Sequence, residues 1–209
     1  MKAFLAERIR RHWSMIVNVV LVVALGRYAV VKAWEAWDAK QFNFVEAAFV
    51  VHNIVMLTVI LVRRRHVAMD RSTFHQVIAL AAFFSGIAFL KHPTESLVGL
   101  SQGIMVAALV LGAISLLNLG RSFGILIAVR KVKTGGLYQA VRHPMYLTDI
   151  LWRVGYLAGN LYWPNALMFL ASTGCYVYRA ILEERFLSQF PEYQEYKKKV
   201  RYRFVPGVF

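Results

Sequence analysis

Cysteine is nearly absent from this 209-residue chain. Cys175 stands alone, so neither an intrachain disulfide nor a cysteine-built zinc site can form. Acidic residues are scarce as well, 11 Asp and Glu against 25 Lys and Arg, for a formal net charge of +14. Charged residues reach only 17%, whereas a soluble domain carries about 25%. Apolar types make up 58% and are blocked into long runs. This composition excludes disorder, a collagen repeat and a disulfide scaffold, and it predicts a polytopic membrane protein. The chain has no GxGxxG fingerprint, no P-loop, no HExxH and no Ser/His/Asp signature. Its histidines (12, 52, 66, 75, 92 and 143) include no i,i+4 pair, so no metal site is expected.

The positive charge is placed mainly beside apolar segments, which fits a bilayer with an anionic inner leaflet rather than nucleic acid. Lys2 to His12 is basic, but the apolar run after it is long and lacks a small-residue cleavage site, so no cleavable signal peptide is expected. Spanning a hydrocarbon core takes about 20 helical residues. Six segments approach that: Trp13–Ala33, Phe44–Val62, Phe74–Leu90, Leu97–Leu119, Tyr146–Leu161 and Asn165–Leu182. The last two read as a helical hairpin turning around Gly159, Asn160, Trp163 and Pro164. The expected fold is an all-α, polytopic transmembrane helical bundle of about six membrane segments with a C-terminal helical hairpin. Residues 1–118 would be membrane helices, and residues 119–209 a functional C-terminal region.

Lys and Arg counts give the orientation. The N-terminal arm carries four (Lys2, Arg8, Arg10, Arg11), the second loop four (Arg63, Arg64, Arg65, Arg71), Gly120–Tyr146 five and the stretch from Arg179 seven. The intervening loops carry only Lys40 and Lys91. Twenty against two places both termini and Gly120–Tyr146 in the cytoplasm.

Residues with chemical potential gather on that face. Pro144 and Tyr146 sit where a loop becomes a helix, and the N–H groups of a first turn can take a carboxylate. Gly135 and Gly136 permit a tight turn. Arg179 and Glu183 are four apart and share a helix face, either as an interfacial ion pair or as a substrate cation beside a carboxylate, with Glu184 sharing the second task. Asp149 and Arg153 are also four apart inside a membrane segment, where charges are costly; pairing with each other or catalysis would account for them. Glu46, His52 and Asn53 could line a cavity or bond between helices.

The run Thr134–Gly135–Gly136–Leu137–Tyr138, then Arg142–His143–Pro144–Met145–Tyr146, resembles the isoprenylcysteine carboxyl methyltransferase family, to which the phospholipid methyltransferases are related. Glu183–Glu184, Phe190, the stretch Tyr193 to Val200 and Arg203–Phe204–Val205–Pro206–Gly207 continue the resemblance in the same order. It covers roughly 119–209. It implies an integral membrane enzyme, dependent on S-adenosylmethionine, with a cytosolic cofactor pocket capped by the tail and a lipid-like substrate entering from the bilayer. By the same resemblance, Tyr138, His143, Pro144, Met145 and Tyr146 would contact the cofactor. Arg130, Lys131, Val132 and Lys133 would line it mostly through backbone. Glu183, with Glu184, would hold it, and Arg179 would face a substrate carboxylate. Thr148 replaces a frequent family Gly, and Phe190–Pro191–Glu192–Tyr193 is one residue shorter than the family's Phe-Gly-x-x-Tyr; both departures bear on the substrate rather than the cofactor.

The expected function is therefore methyl transfer to an amphipathic acceptor, a carboxylate among the candidates. The compartment would be the plasma membrane in a bacterium and the endoplasmic reticulum in a eukaryote. Two other readings remain. Sterol reductases, which use nicotinamide cofactors, share a His-Pro-x-Tyr-like block, though with Asn where this chain has Met145. A transporter or assembly protein would account for the intramembrane charges.

Overall fold

The computed structural model describes residues 2–39 and 43–208, with the side chains of the first helix described at 16, 17 and 19–35. The side chains of Lys2, Arg8, Arg10 and Arg11, and all of Lys40, lie outside the described residues. The elements are α1 (Lys2–Ala39), α2 (Phe44–Val62), β1 (Ala68–Met69), α3 (Thr73–Phe84), α4 (Val98–Leu119), β2 (Ala128–Val129), α5 (Pro144–Gly159), α6 (Trp163–Leu187) and α7 (Pro191–Lys199).

Local chemistry sets several boundaries. The Asn43 side chain accepts from the N–H groups of Val45 and Glu46 and starts α2. Ser72 caps α3 through the His75 N–H. Pro144 and Pro164 lie in the first turns of α5 and α6, where a missing N–H costs nothing. Trp163 and Pro164, expected in the hairpin turn, are thus already helical.

Two regions, Phe44–Val62 and Glu95–Ser122, are long and apolar enough to cross a bilayer, with mean hydropathies of 2.2 and 2.1. Only 28% and 22% of their most apolar windows are buried inside the protein. A soluble core helix would bury most of such a surface, so lipid is the solvent of these exposed faces. The chain is an integral membrane protein of mainly helical fold. The third segment departs from expectation: α3 has 12 residues, about 18 Å of rise, before a 3-10 turn at Ser85–Ala88.

α4 and α5 form the tightest helix pair. Gly155 makes this possible: a Cβ there would stand 2.8 Å from Met105 Cγ and 3.0 Å from the Met105 main-chain nitrogen. Ser101 Oγ also donates to the Gly155 carbonyl at 2.7 Å. Small residues bring helices together in this way where lipid gives no hydrophobic drive. At the hairpin end, fully buried Asn165 accepts from Leu90 N–H at 2.8 Å and donates to the Leu90 carbonyl at 2.9 Å. At the other end, β1 and β2 pair antiparallel, and Gln76 bonds both the N–H and the carbonyl of Ile127. These bonds pin the 123–129 segment, one wall of the candidate site, against α3.

Candidate active site

A cavity of about 110 Å³ lies between the 122–133 segment, the start of α5, the end of α6 and α7. The expected residues Arg130, Lys131, Val132, Lys133, Tyr138, His143, Met145, Tyr146, Arg179 and Glu183 all line it. Pro144 and Glu184 do not.

Glu184 is instead a hub behind the wall, 2% exposed. It accepts from Arg142 Nε at 2.7 Å, from His143 Nε2 at 3.2 Å and from Arg203 Nε at 3.0 Å. Arg142 Nη1 also donates to the carbonyls of Val200 and Arg201, while the N–H groups of Arg142 and His143 donate to those of Tyr202 and Arg203. The tail is thereby laid along the start of α5. Above the cavity, Tyr193 and Tyr196 project from one face of α7, three positions apart, and Tyr196 Oη donates to the Tyr138 carbonyl at 2.7 Å. His143 stacks on Tyr146, their rings 5.1 Å apart and nearly parallel. Gly136, at φ 62°, takes the left-handed turn expected of the glycine pair, and Asn118 Oδ1 accepts from the next N–H, that of Leu137.

The i,i+4 pairs behave differently from their spacing. Tyr146 Oη, rather than Arg179, donates to Glu183. Arg179 is 4% exposed; its Nη atoms donate to the carbonyls of Ala79 and Ile125, and its guanidinium lies 4.8 Å over the Tyr146 ring. Arg153 Nη1 bonds the main-chain oxygen of Asp149 at 2.8 Å, not its carboxylate. His52 bonds between helices, to the Leu109 carbonyl at 3.2 Å, whereas Asn53 bonds within α2 to Phe49.

Charge in the cavity is mixed. Burial, then neighbouring Arg63, lowers Arg130 to about 10 against an opposing pull from Glu183. Burial raises the Tyr138 hydroxyl, and Glu183 adds to it; burial, then Glu184 and Glu183, raises Tyr193. The phenols therefore stay neutral donors. Among the described residues, three buried polar atoms belonging to residues of this one lining have no partner: Ser122 Oγ, Arg179 Nε and Tyr193 Oη. Such orphans are costly unless a polar ligand meets them.

A second cavity of about 340 Å³ lies among α1 to α6 and the 3-10 turn after α3, and is mostly apolar. Phe83, Met145 and Asp149 line both. Asp149, weighed from the sequence for pairing or catalysis, also lines the first cavity, and so do Arg142, Tyr193 and Tyr196, for which the Tyr193/Tyr196 spacing on a short helix was the usable signal.

No protein-family model matches the chain. A curated relative, protein-S-isoprenylcysteine O-methyltransferase B of Arabidopsis thaliana, is 29% identical over 154 residues, covering 70% of this chain and 76% of the relative. A solved eukaryotic intramembrane Ras methyltransferase, isoprenylcysteine carboxyl methyltransferase, aligns over 98% of this chain and 86% of its own, at 19% identity and a TM-score of 0.49. The ordered motifs and the plant relative agree: the chain is a methyltransferase enzyme related to the isoprenylcysteine carboxyl methyltransferase family.

Proposed function

We propose that the cavity beneath the tail binds S-adenosylmethionine and that the larger, apolar cavity receives a lipid-like or amphipathic acceptor from the bilayer. The observation that carries this reading is the set of partnerless polar atoms, Ser122 Oγ, Arg179 Nε and Tyr193 Oη, on one lining that also holds Glu183 and the tyrosines. Glu183 supplies a carboxylate for hydroxyls or an ammonium, Tyr138 and Tyr146 supply aromatic surface, and the 130–133 strand supplies backbone groups and positive charge. His143, Pro144, Met145 and Glu184 shape and support that wall. The bound group supplies a methyl on a sulfonium, ready for in-line displacement.

The protein's contribution is then positioning and exclusion of water. Holding two reactants in one oriented pocket supplies on the order of 7–11 kcal/mol. Arg179 stands on the lining with its Nε free and serves the acceptor side, while its guanidinium fixes the Tyr146 ring that donates to Glu183. Both termini are cytoplasmic, with residues 1–118 forming the membrane scaffold and 119–209 the transferring region. This orientation follows the Lys and Arg asymmetry.

The test is transfer of labelled methyl from S-adenosylmethionine to a membrane lipid extract, followed by identification of the labelled product. Label in an organic-soluble product supports the reading. No transfer, together with protection by reduced nicotinamide cofactor instead, would favour the reductase.

A further inference from the structure

We propose that an anionic lipid of the inner leaflet is seated by its phosphate where the loop after α2 meets the 120–130 segment, and that it tunes donor binding through Arg130; the second half rests on the methyl-transfer reading above. α2 ends at Val62, and Arg63, Arg64 and Arg65 follow at once. Hydrogen bonds fasten this loop to the facing segment. Arg121 Nε donates to the Val62 carbonyl at 3.0 Å, and Arg130 Nε to the Arg64 carbonyl at 3.2 Å. The Arg64 N–H donates to the Arg121 carbonyl at 2.8 Å, and the Val67 N–H to the Val129 carbonyl at 2.8 Å, beside the β1–β2 pair. The Arg130 guanidinium lies across Gly124, where any Cβ would collide with Nη1. Arginines from two segments are thus held side by side. Among the described residues, no hydrogen bond uses the terminal nitrogens of Arg121 or Arg130, and no ion pair within 4.0 Å involves Arg64, Arg65, Arg121 or Arg130. The Asp70 carboxylate, just past β1, is already met by His75 Nδ1 at 2.6 Å. A cytoplasmic excess of Lys and Arg orients a membrane protein wherever those residues fall; it does not require their main chains to be bonded into one surface.

The occupant is a lipid because apolar side chains border the arginines. Leu61 is 65% exposed, Val62 50% and Leu117 62%, all within a turn of the ends of α2 and α4. They offer contact to acyl chains, while the forked guanidiniums offer paired N–H groups to a phosphate. Arg130 belongs also to the cavity beneath the tail, together with Lys131 and Lys133. S-adenosylmethionine carries an ammonium, a sulfonium and a carboxylate, hence one net positive charge, which these cations oppose. A phosphate on Arg130 offsets that repulsion. S-adenosylhomocysteine has no sulfonium and gains little from it, so the lipid and the donor are coupled through charge.

The test uses the full-length protein in phosphatidylcholine nanodiscs with and without phosphatidylglycerol. Native mass spectrometry after release is expected to find phosphatidylglycerol retained in preference to phosphatidylcholine. That preference should fall about fivefold for each arginine removed, in Arg64→Gln and in Arg64→Gln/Arg121→Gln. Equal retention of the two lipids by the wild type, or an unchanged preference in the double variant, overturns the seat. Arg64 bonds through its main chain alone among the described residues, so the single variant decides by the same criterion if the double variant does not fold. Phosphatidylglycerol is also expected to tighten S-adenosylmethionine several-fold in the wild type, to leave S-adenosylhomocysteine little changed, and to lose this effect in the double variant. A tightening that persists in the double variant is surface potential acting on a cation and overturns the coupling, as does equal tightening of S-adenosylhomocysteine. Dissolved glycerol 1-phosphate reproducing the effect in phosphatidylcholine discs overturns the lipid assignment. If the wild type binds no S-adenosylmethionine in any disc, the parent reading fails and the coupling with it, while the seat stands or falls by lipid retention.

Discussion

Arg142 and Glu184, 42 positions apart in sequence, meet through Nε and Oε1 at 2.7 Å, with side chains 6% and 3% exposed. This buried pair joins the entry of α5 to the end of α6. Through its second contacts, to the Val200 and Arg201 carbonyls and to Arg203, it also fixes the tail that carries the chain past the cavity.

Glu184→Gln is expected to loosen the tail, because it leaves buried Arg142 without its charge partner. Removing one member of a buried pair costs about 3–5 kcal/mol. Thermal unfolding in detergent should show a clearly lower midpoint, and limited proteolysis should cut near 189–201 first. An unchanged midpoint would remove the hub from the account.

The same carboxylate sets an acid limit. Burial pushes the Glu184 carboxyl up, but hydrogen bonds from His143 and Arg142, and their charges, outweigh it and hold it at about 2, below the ordinary 4.5. A folded-state value below the unfolded one gives stability that is complete above the ordinary value and is lost as pH falls from about 4.5 to about 2. The tail should therefore resist an acid-active protease at about pH 5 and be cleaved at about pH 2.5. Equal resistance at both would contradict the assignment.

How far the sequence was legible depends on what kind of information each feature needs. The limits of α2 and α4 follow from hydropathy almost to the residue, and the α5–α6 hairpin from Gly159, Asn160 and Pro164. Tyr138, Arg142, His143, Met145, Tyr146 and Glu183 fall on one lining because they flank helix ends that converge. Side-chain partners were not legible. Spacing of four put Arg179 with Glu183 and Arg153 with Asp149, but main-chain carbonyls from Ala79, Ile125 and Asp149 itself took the guanidiniums instead. The carbonyls of Ala79 and Ile125 come from distant segments and no local pattern encodes them, whereas that of Asp149 lies one turn back on α5 itself. The shortness of α3 was hidden for a similar reason: its apolar run continues past Phe84, through the 3-10 turn.

Tyr146→Phe should keep the ring that stacks on His143 and lose the hydrogen bond to Glu183. A hydrogen bond to a charged group contributes about 1.5–3 kcal/mol. The unfolding midpoint should fall accordingly, and binding of S-adenosylhomocysteine should weaken about tenfold or more by titration calorimetry. Unaltered affinity would place the ligand elsewhere.

Gly155→Ala tests the scaffold without touching the cavity beneath the tail. Its Cβ would meet Met105 at 2.8–3.0 Å and force α4 and α5 apart. Overpacking of this kind costs about 1–3 kcal/mol. The expected result is a lower unfolding midpoint and a weakened Ser101–Gly155 contact; a stability equal to the wild type would show that the helices are not in close contact.

Equilibrium binding of S-adenosylmethionine to the purified, full-length protein tests the central claim most directly. The account predicts saturable binding, weakened at least tenfold by Glu183→Ala. No saturable binding, or an affinity indifferent to Glu183→Ala, would contradict it.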